Sequence, residues 1–296
     1  MGHSGEMTTP LLPRTGPDPE FRAVVRRRRA RLVAATVGTA VVCAMALTFM
    51  VRFTLFSTRG QRLDLDAMDS VGGTSSAMVT VLGGLGAVTI GTAALGLALC
   101  VAMALSRRRI SHALGAVAIV GGANVTTQLL KRELIERPDL DVGYALQNSL
   151  PSGHTTVVLS LVVAALLVAP HGLRLALASA GALIVTVTGA STVVADWHRP
   201  SDVLAALLVV PIWAALVVLV LGWDPPPHAP HRHSRWHGAV ALAGAGLAGV
   251  VLLGVGVRPD DGWADLGTAA PMLLVIGLTT ALSVGVCARL ATSFAP

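Results

Sequence analysis

The strongest constraint on this fold is the length of its apolar blocks. They run over roughly 31–52, 77–105, 110–130, 153–169, 173–197, 201–222, 238–256 and 268–290. A helix crossing a bilayer needs ~20 consecutive apolar residues, and most of these blocks are about that long. Charged residues make up 13% of the 296, against about 25% in an ordinary soluble domain. The expected fold class is therefore all-α, a polytopic membrane helical bundle. Gly and Ala recur inside the blocks, which allows close helix packing in lipid.

The formal net charge of +6 does not indicate a nucleic-acid partner, because the arginines sit at the ends of apolar blocks. Arg22, Arg26, Arg27, Arg28, Arg29 and Arg31 precede the first block, which predicts a cytoplasmic N-terminus. Arg107, Arg108 and Arg109, then Arg174, then Arg232 and Arg235 alternate onto the same side. The opposite loops carry Asp64, Asp66 and Asp69, and later Asp260, Asp261 and Asp265. On this pattern the loops over 131–152 and around 198 both face outward. Residues 1–30 read as a disordered basic cytoplasmic tail without the apolar region of a signal peptide. Residues 223–237, rich in His and Pro, read as a cytoplasmic linker, with a metal-binding tract as the other reading. Cys43, Cys100 and Cys287 fall inside apolar blocks, where thiols pack inertly, so neither a disulfide nor a metal site is expected from them.

Three outward elements hold reactive side chains. Lys131, the only lysine among 22 basic residues, ends the third block and is followed by Arg132, Glu133, Glu136, Arg137 and Pro138. Interfacial snorkelling accounts for Arg132, Glu133 and Glu136, while Lys131 and Arg137 stay open between snorkelling and function. In the second element, Leu150-Pro151-Ser152-Gly153-His154-Thr155-Thr156 opens a helix. Ser152 suits an N-cap, and Gly153 lets a ligand approach the backbone. The free amides of that first turn form an anion cradle, with His154 at its rim. The third is Trp197-His198-Arg199-Pro200-Ser201-Asp202. A helix starting near His198 would put His198 and Asp202 on one face. A carboxylate on Nδ1 leaves Nε2 as nucleophile or base. The competing reading of the same atoms is a His154–His198–Asp202 zinc site, against which the cations Lys131 and Arg137 argue.

Together the three elements resemble the signature of the type-2 phosphatidic acid phosphatase family, related in site architecture to vanadium-dependent haloperoxidases. That signature is Lys-x6-Arg-Pro, Pro-Ser-Gly-His and Ser-Arg-x5-His-x3-Asp. The resemblance covers roughly residues 30–222 and implies a six-helix phosphatase core over 31–222. Residues 238–296 then form two additional transmembrane helices that the resemblance does not reach. It implies His198 as nucleophile, Asp202 as its orienting carboxylate and His154 as general acid and base, in a metal-free reaction with no cofactor. Lys131, Arg137, Ser152 and Gly153 would bind the phosphate. The implied substrate is a lipid phosphate or polyprenyl (pyro)phosphate, reached from the lipid of what is expected to be a bacterial plasma membrane. Two positions depart from the signature. Five residues, not six, separate Lys131 from Arg137, and Thr192 stands where the phosphate-contacting arginine belongs. Arg132 and Arg199 are candidate replacements for its charge. The alternative is a catalytically silent binding or assembly protein that retains the fold.

Overall fold

The computed structural model describes residues 19–72, 90–143, 147–222, 236–261 and 263–292, together with residues 80, 83, 84 and 86. Among these, nine α-helices carry the fold: α1 (Pro19–Phe56), α2 (Thr58–Asp69), α3 (Ile90–Ser106), α4 (Ile110–Leu129), α5 (Gly153–Val168), α6 (His171–Val194), α7 (Pro200–Leu221), α8 (His237–Gly254) and α9 (Trp263–Ala291). Six helical stretches are long and apolar enough to cross a membrane, and two shorter apolar helices, Gly91–Ser106 and Gly153–Val168, accompany them. This is an all-α polytopic membrane bundle. Each of the eight apolar blocks corresponds to one of these helices, although most of residues 77–89 of the second block lie outside the described residues. Most of the linker over 223–237 lies outside the described residues, as does the tail over 1–18.

Helix α1 starts at Pro19, so residues 19–30 are helical rather than a disordered tail. Arginine is a good helix former, and the run Arg26–Arg31 extends the apolar helix behind it.

At the centre stands α7, packed against α1, α4, α5 and α9, with Leu207, Val210 and Ala206 fully buried. Large apolar residues elsewhere, such as Phe49, Leu99, Leu253 and Leu282, are exposed, as lipid-facing side chains should be. The two helices beyond the core are not appendages. Helix α8 lies so close to α6 that a Cβ on Gly244 would stand 2.0 Å from the carbonyl oxygen of Ser179. On α9, Ser283 donates to the Leu207 carbonyl of α7 at 2.8 Å.

Two tie-points show which loops share an end. At one end, strand β1 (Val71–Gly72) pairs antiparallel with β2 (Arg258–Pro259), joining the chain after α2 to the α8–α9 connection. At the other, Arg174 is 1% exposed. Its guanidinium donates to Ala169, Leu167 and Ala291 carbonyls at 3.2, 3.3 and 3.1 Å. Arg174 is thus not a free loop charge of the kind that sets orientation. It caps the carbonyl ends of α5 and α9, which no intrahelical donor reaches.

Candidate active site

The three reactive elements meet at the end of the bundle that carries β1 and β2. The first leaves α4 through a π-helical turn, Leu130–Leu134, closed by Ile135 N–H to the Leu130 carbonyl at 3.1 Å. Such turns often mark functional sites. Here the turn carries Lys131, half-buried, and Arg132, exposed; Arg137 follows on irregular chain, half-buried. The Asp202 carboxylate interacts electrostatically with both Lys131 and Arg137. Burial, then the neighbouring Arg199, pulls Arg137 below the ordinary guanidinium range, while Asp64 and Asp202 pull it back.

The second element begins at Asn148, which staples it to the first. Its amide donates to the Ile135 carbonyl at 2.8 Å and to the Lys131 carbonyl at 3.3 Å. Ser152 is the N-cap of α5, its fully buried hydroxyl accepting from Thr155 N–H at 3.4 Å and from the Thr155 hydroxyl at 3.1 Å. Ser152 therefore shapes the cradle from within. A Cβ on Gly153 would meet nothing within 4 Å, so the backbone there faces open space beside His154.

In the third element, His198 and Arg199 precede α7, with Arg199 in extended conformation as its N-cap. The sequence expectation of a helix starting near His198 is corrected to a start at Pro200. Contact with Asp202 survives because Asp202 is the third helical residue and turns back over the cap. Its Oδ2 accepts from Arg199 N–H at 3.0 Å, half of a capping box, and lies 3.2 Å from His198 Nδ1. Ser149 donates to the same oxygen at 2.5 Å. Ser152 N–H donates to the Asp202 carbonyl at 2.8 Å, locking the second element to the third. Nδ1 engaged in this way leaves Nε2 of His198 on the open side of the ring. The His154 and His198 rings stand edge to face at 6.2 Å between centroids, with Trp197 5.5 Å from His154.

Thr192 is fully buried and spends its hydroxyl on the Gly189 carbonyl at 2.8 Å, so it offers nothing to an anion. Of the two candidate replacements, Arg132 is exposed, whereas Arg199 is 5% exposed and donates from Nη1 to Ser149 at 3.2 Å. Its charge also reaches Arg137 and Asp64. Among the described residues no group of three His, Cys, Asp or Glu is placed to hold a metal ion.

Ser149 and Asn148 escape the sequence reading, and Asp64 enters it only as an outward loop charge. Ser149 and Asn148 precede the recognisable Pro-Ser-Gly-His by only a few residues, and a polar pair there was the one available signal.

Residues 112–225 match the family model of the PAP2 superfamily, a stretch that contains all three elements and agrees with the resemblance they carry. It is narrower than the 30–222 which that resemblance implied. No curated protein and no solved structure matches the chain.

Proposed function

We propose that this multi-pass membrane protein, whose residues 112–225 match the PAP2 superfamily, is a phosphatase acting on a lipid phosphate or polyprenyl (pyro)phosphate at the outer membrane face. The observation that carries the reading is the imidazole pair. Rings 6.2 Å apart bring both imidazoles within reach of a single phosphoryl group, and Asp202 engages the Nδ1 of His198. Outward placement is supported by the opposite end of the bundle, where Arg26–Arg29, Arg31 and Arg107–Arg109 cluster.

In this mechanism Nε2 of His198 attacks phosphorus in line. The P–N bond forms as the bond to the leaving oxygen breaks, and that oxygen takes a proton from His154. Asp202 stabilises the charge that develops on the His198 ring. Neutral His154 then removes a proton from water, whose oxygen attacks phosphorus, breaks the P–N bond and releases inorganic phosphate. Lys131, Arg137, Arg199 and the open amides at the start of α5 offset charge on the non-bridging oxygens. Arg199 does from the cap of α7 what Thr192 cannot do from α6.

Purified protein in detergent should release phosphate from one or more of phosphatidic acid, phosphatidylglycerol phosphate, undecaprenyl pyrophosphate and related polyprenyl phosphates. His198→Ala and His154→Ala should each abolish it, and full turnover in either variant sinks the mechanism. Thr192 supports a second reading, a silent binding protein. Vanadate mimics the transferring phosphoryl group, and a wild-type protein that fails to bind it through His198 favours that reading.

A further inference from the structure

Helix α2 lies outside both the matched segment and the membrane-spanning helices, yet two of its side chains reach into the site. Asp64 is 6% exposed. Its Oδ1 accepts the N–H of Ser201 at 2.9 Å, and its Oδ2 accepts the Ser201 hydroxyl. Ser201 is the second residue of α7, immediately before Asp202. Three residues earlier on α2, Gln61 donates to the Leu55 carbonyl at 2.7 Å and to the Pro138 carbonyl at 3.0 Å, next to Arg137. The far end of α2 is braced as well, since Asp260 N–H donates to the Ser70 carbonyl at 3.1 Å beside the β1–β2 pair.

Helix N-termini leave their first amide donors without intrahelical partners, and Asp202 is occupied with Arg199, His198 and Ser149. Asp64 supplies the missing acceptor from a different helix. We propose that Asp64 is a positioning residue of the phosphatase site: by holding both donors of Ser201 it fixes the first turn of α7, and through Asp202 the attitude of the His198 ring. This role rests on the phosphatase reading of that ring.

The charged groups facing Asp64 are Asp202 and Arg199 at the start of α7 and Arg137 on the loop after the π turn. Burial pushes its carboxyl up to about 6; the Ser201 hydrogen bonds and Arg199 oppose that, while Asp202 adds to it. A raised carboxyl pKa means that protonation favours the folded state. That contribution to stability is full below the ordinary value of 3.8 and is lost as pH rises through about 6. Activity runs the other way, because only the carboxylate offers two acceptor oxygens. The signature is a fall in rate as pH drops through about 6 while the fold is held at least as firmly.

The test compares wild type, Asp64→Asn, Asp64→Ala and His198→Ala for phosphate release across pH 5–8, with size-exclusion profiles as the folding control. Asn can accept from Ser201 N–H and donate to its hydroxyl, so Asp64→Asn keeps the fold while losing the carboxylate. The expected result is a fall in kcat of ~10-fold for Asp64→Asn and ~100-fold for Asp64→Ala, with KM within about threefold. The rate component near pH 6 should disappear from Asp64→Asn; limbs contributed by the histidines are common to both profiles. Wild-type kcat and pH profile in Asp64→Asn overturn the inference, whatever Asp64→Ala does. If wild type releases no phosphate from any lipid, the phosphatase reading fails separately. Vanadate titration of the same proteins then decides the positioning role, with at least ~10-fold weaker binding by Asp64→Ala expected and equal binding overturning it.

Discussion

Replacing Gly244 by alanine adds one methyl group to a helix that nothing in the family match covers, and it should loosen the molecule measurably. The new Cβ would lie 2.0 Å from the Ser179 carbonyl oxygen and 2.8 Å from its carbon. Both are backbone atoms of α6, so no side-chain rotation relieves the clash. Ordinary contact begins near 3.4 Å, so α8 must retreat locally by roughly 1.4 Å. A gap of ~1 Å already forfeits up to about half of a dispersion contact, and Ala241, Ala245 and Ala248 on the same buried face would share the loss. Overpacking of this kind costs about 1–3 kcal/mol. At about 2–4 °C per kcal/mol the Tm should fall by roughly 2–12 °C. The matched control is Gly246→Ala, two residues on, where an added Cβ meets nothing within 4 Å. The assay is the fraction of detergent-purified protein that stays monodisperse after a heat series. Gly244→Ala melting together with wild type and Gly246→Ala would refute the claim that α8 is packed tightly onto the core.

Other substitutions probe the site and the opposite end. Asp202→Asn should lower kcat by ~10³-fold or more through loss of the His198 tautomer, and a loss below tenfold in phosphate release would remove Asp202 from that role. Arg199→Ala should cost ~10²–10³-fold in kcat, with partial recovery in Arg199→Lys, whereas Arg132→Ala should stay within about twofold; equal losses would reverse the assignment. Arg174→Ala strands buried carbonyls at the ends of α5 and α9 and should destabilise by about 3 kcal/mol, read as a lower Tm in the same heat series. An unchanged Tm would mean that water satisfies those carbonyls instead.

The apolar helices were legible because lipid demands length, and length is written directly in the chain. His198 and Asp202 were legible as a pair through their spacing, although the predicted reason was wrong. They meet because Asp202 folds back as a cap, not because both lie on one helical face. Helix α2 was read only as an acidic outward loop. Its sequence, TRGQRLDLDAMD, has no apolar run long enough to signal a span, and its hold on the site depends on Ser201, 137 residues further on. Ser149 and Asn148 were missed for a similar reason, since a half-buried serine's partner is set by which loops meet and not by its neighbours in the chain. Thr192 was recognised as a departure, but only the fold shows its hydroxyl spent on Gly189 and Arg199 turned inward.

The pairing of β1 with β2 also has a bearing on when the protein becomes competent. Helices α1 to α7 and their connections carry every residue of the candidate site, and in a growing chain they are made first. A brace on α2 is supplied by Arg258 and Pro259, which follow the end of α7 by 37 and 38 residues and come after α8. Until then α2 is held to the earlier helices through Gln61 and Asp64. The far end of α2 thus gains its partners only once the chain beyond α8 has been made.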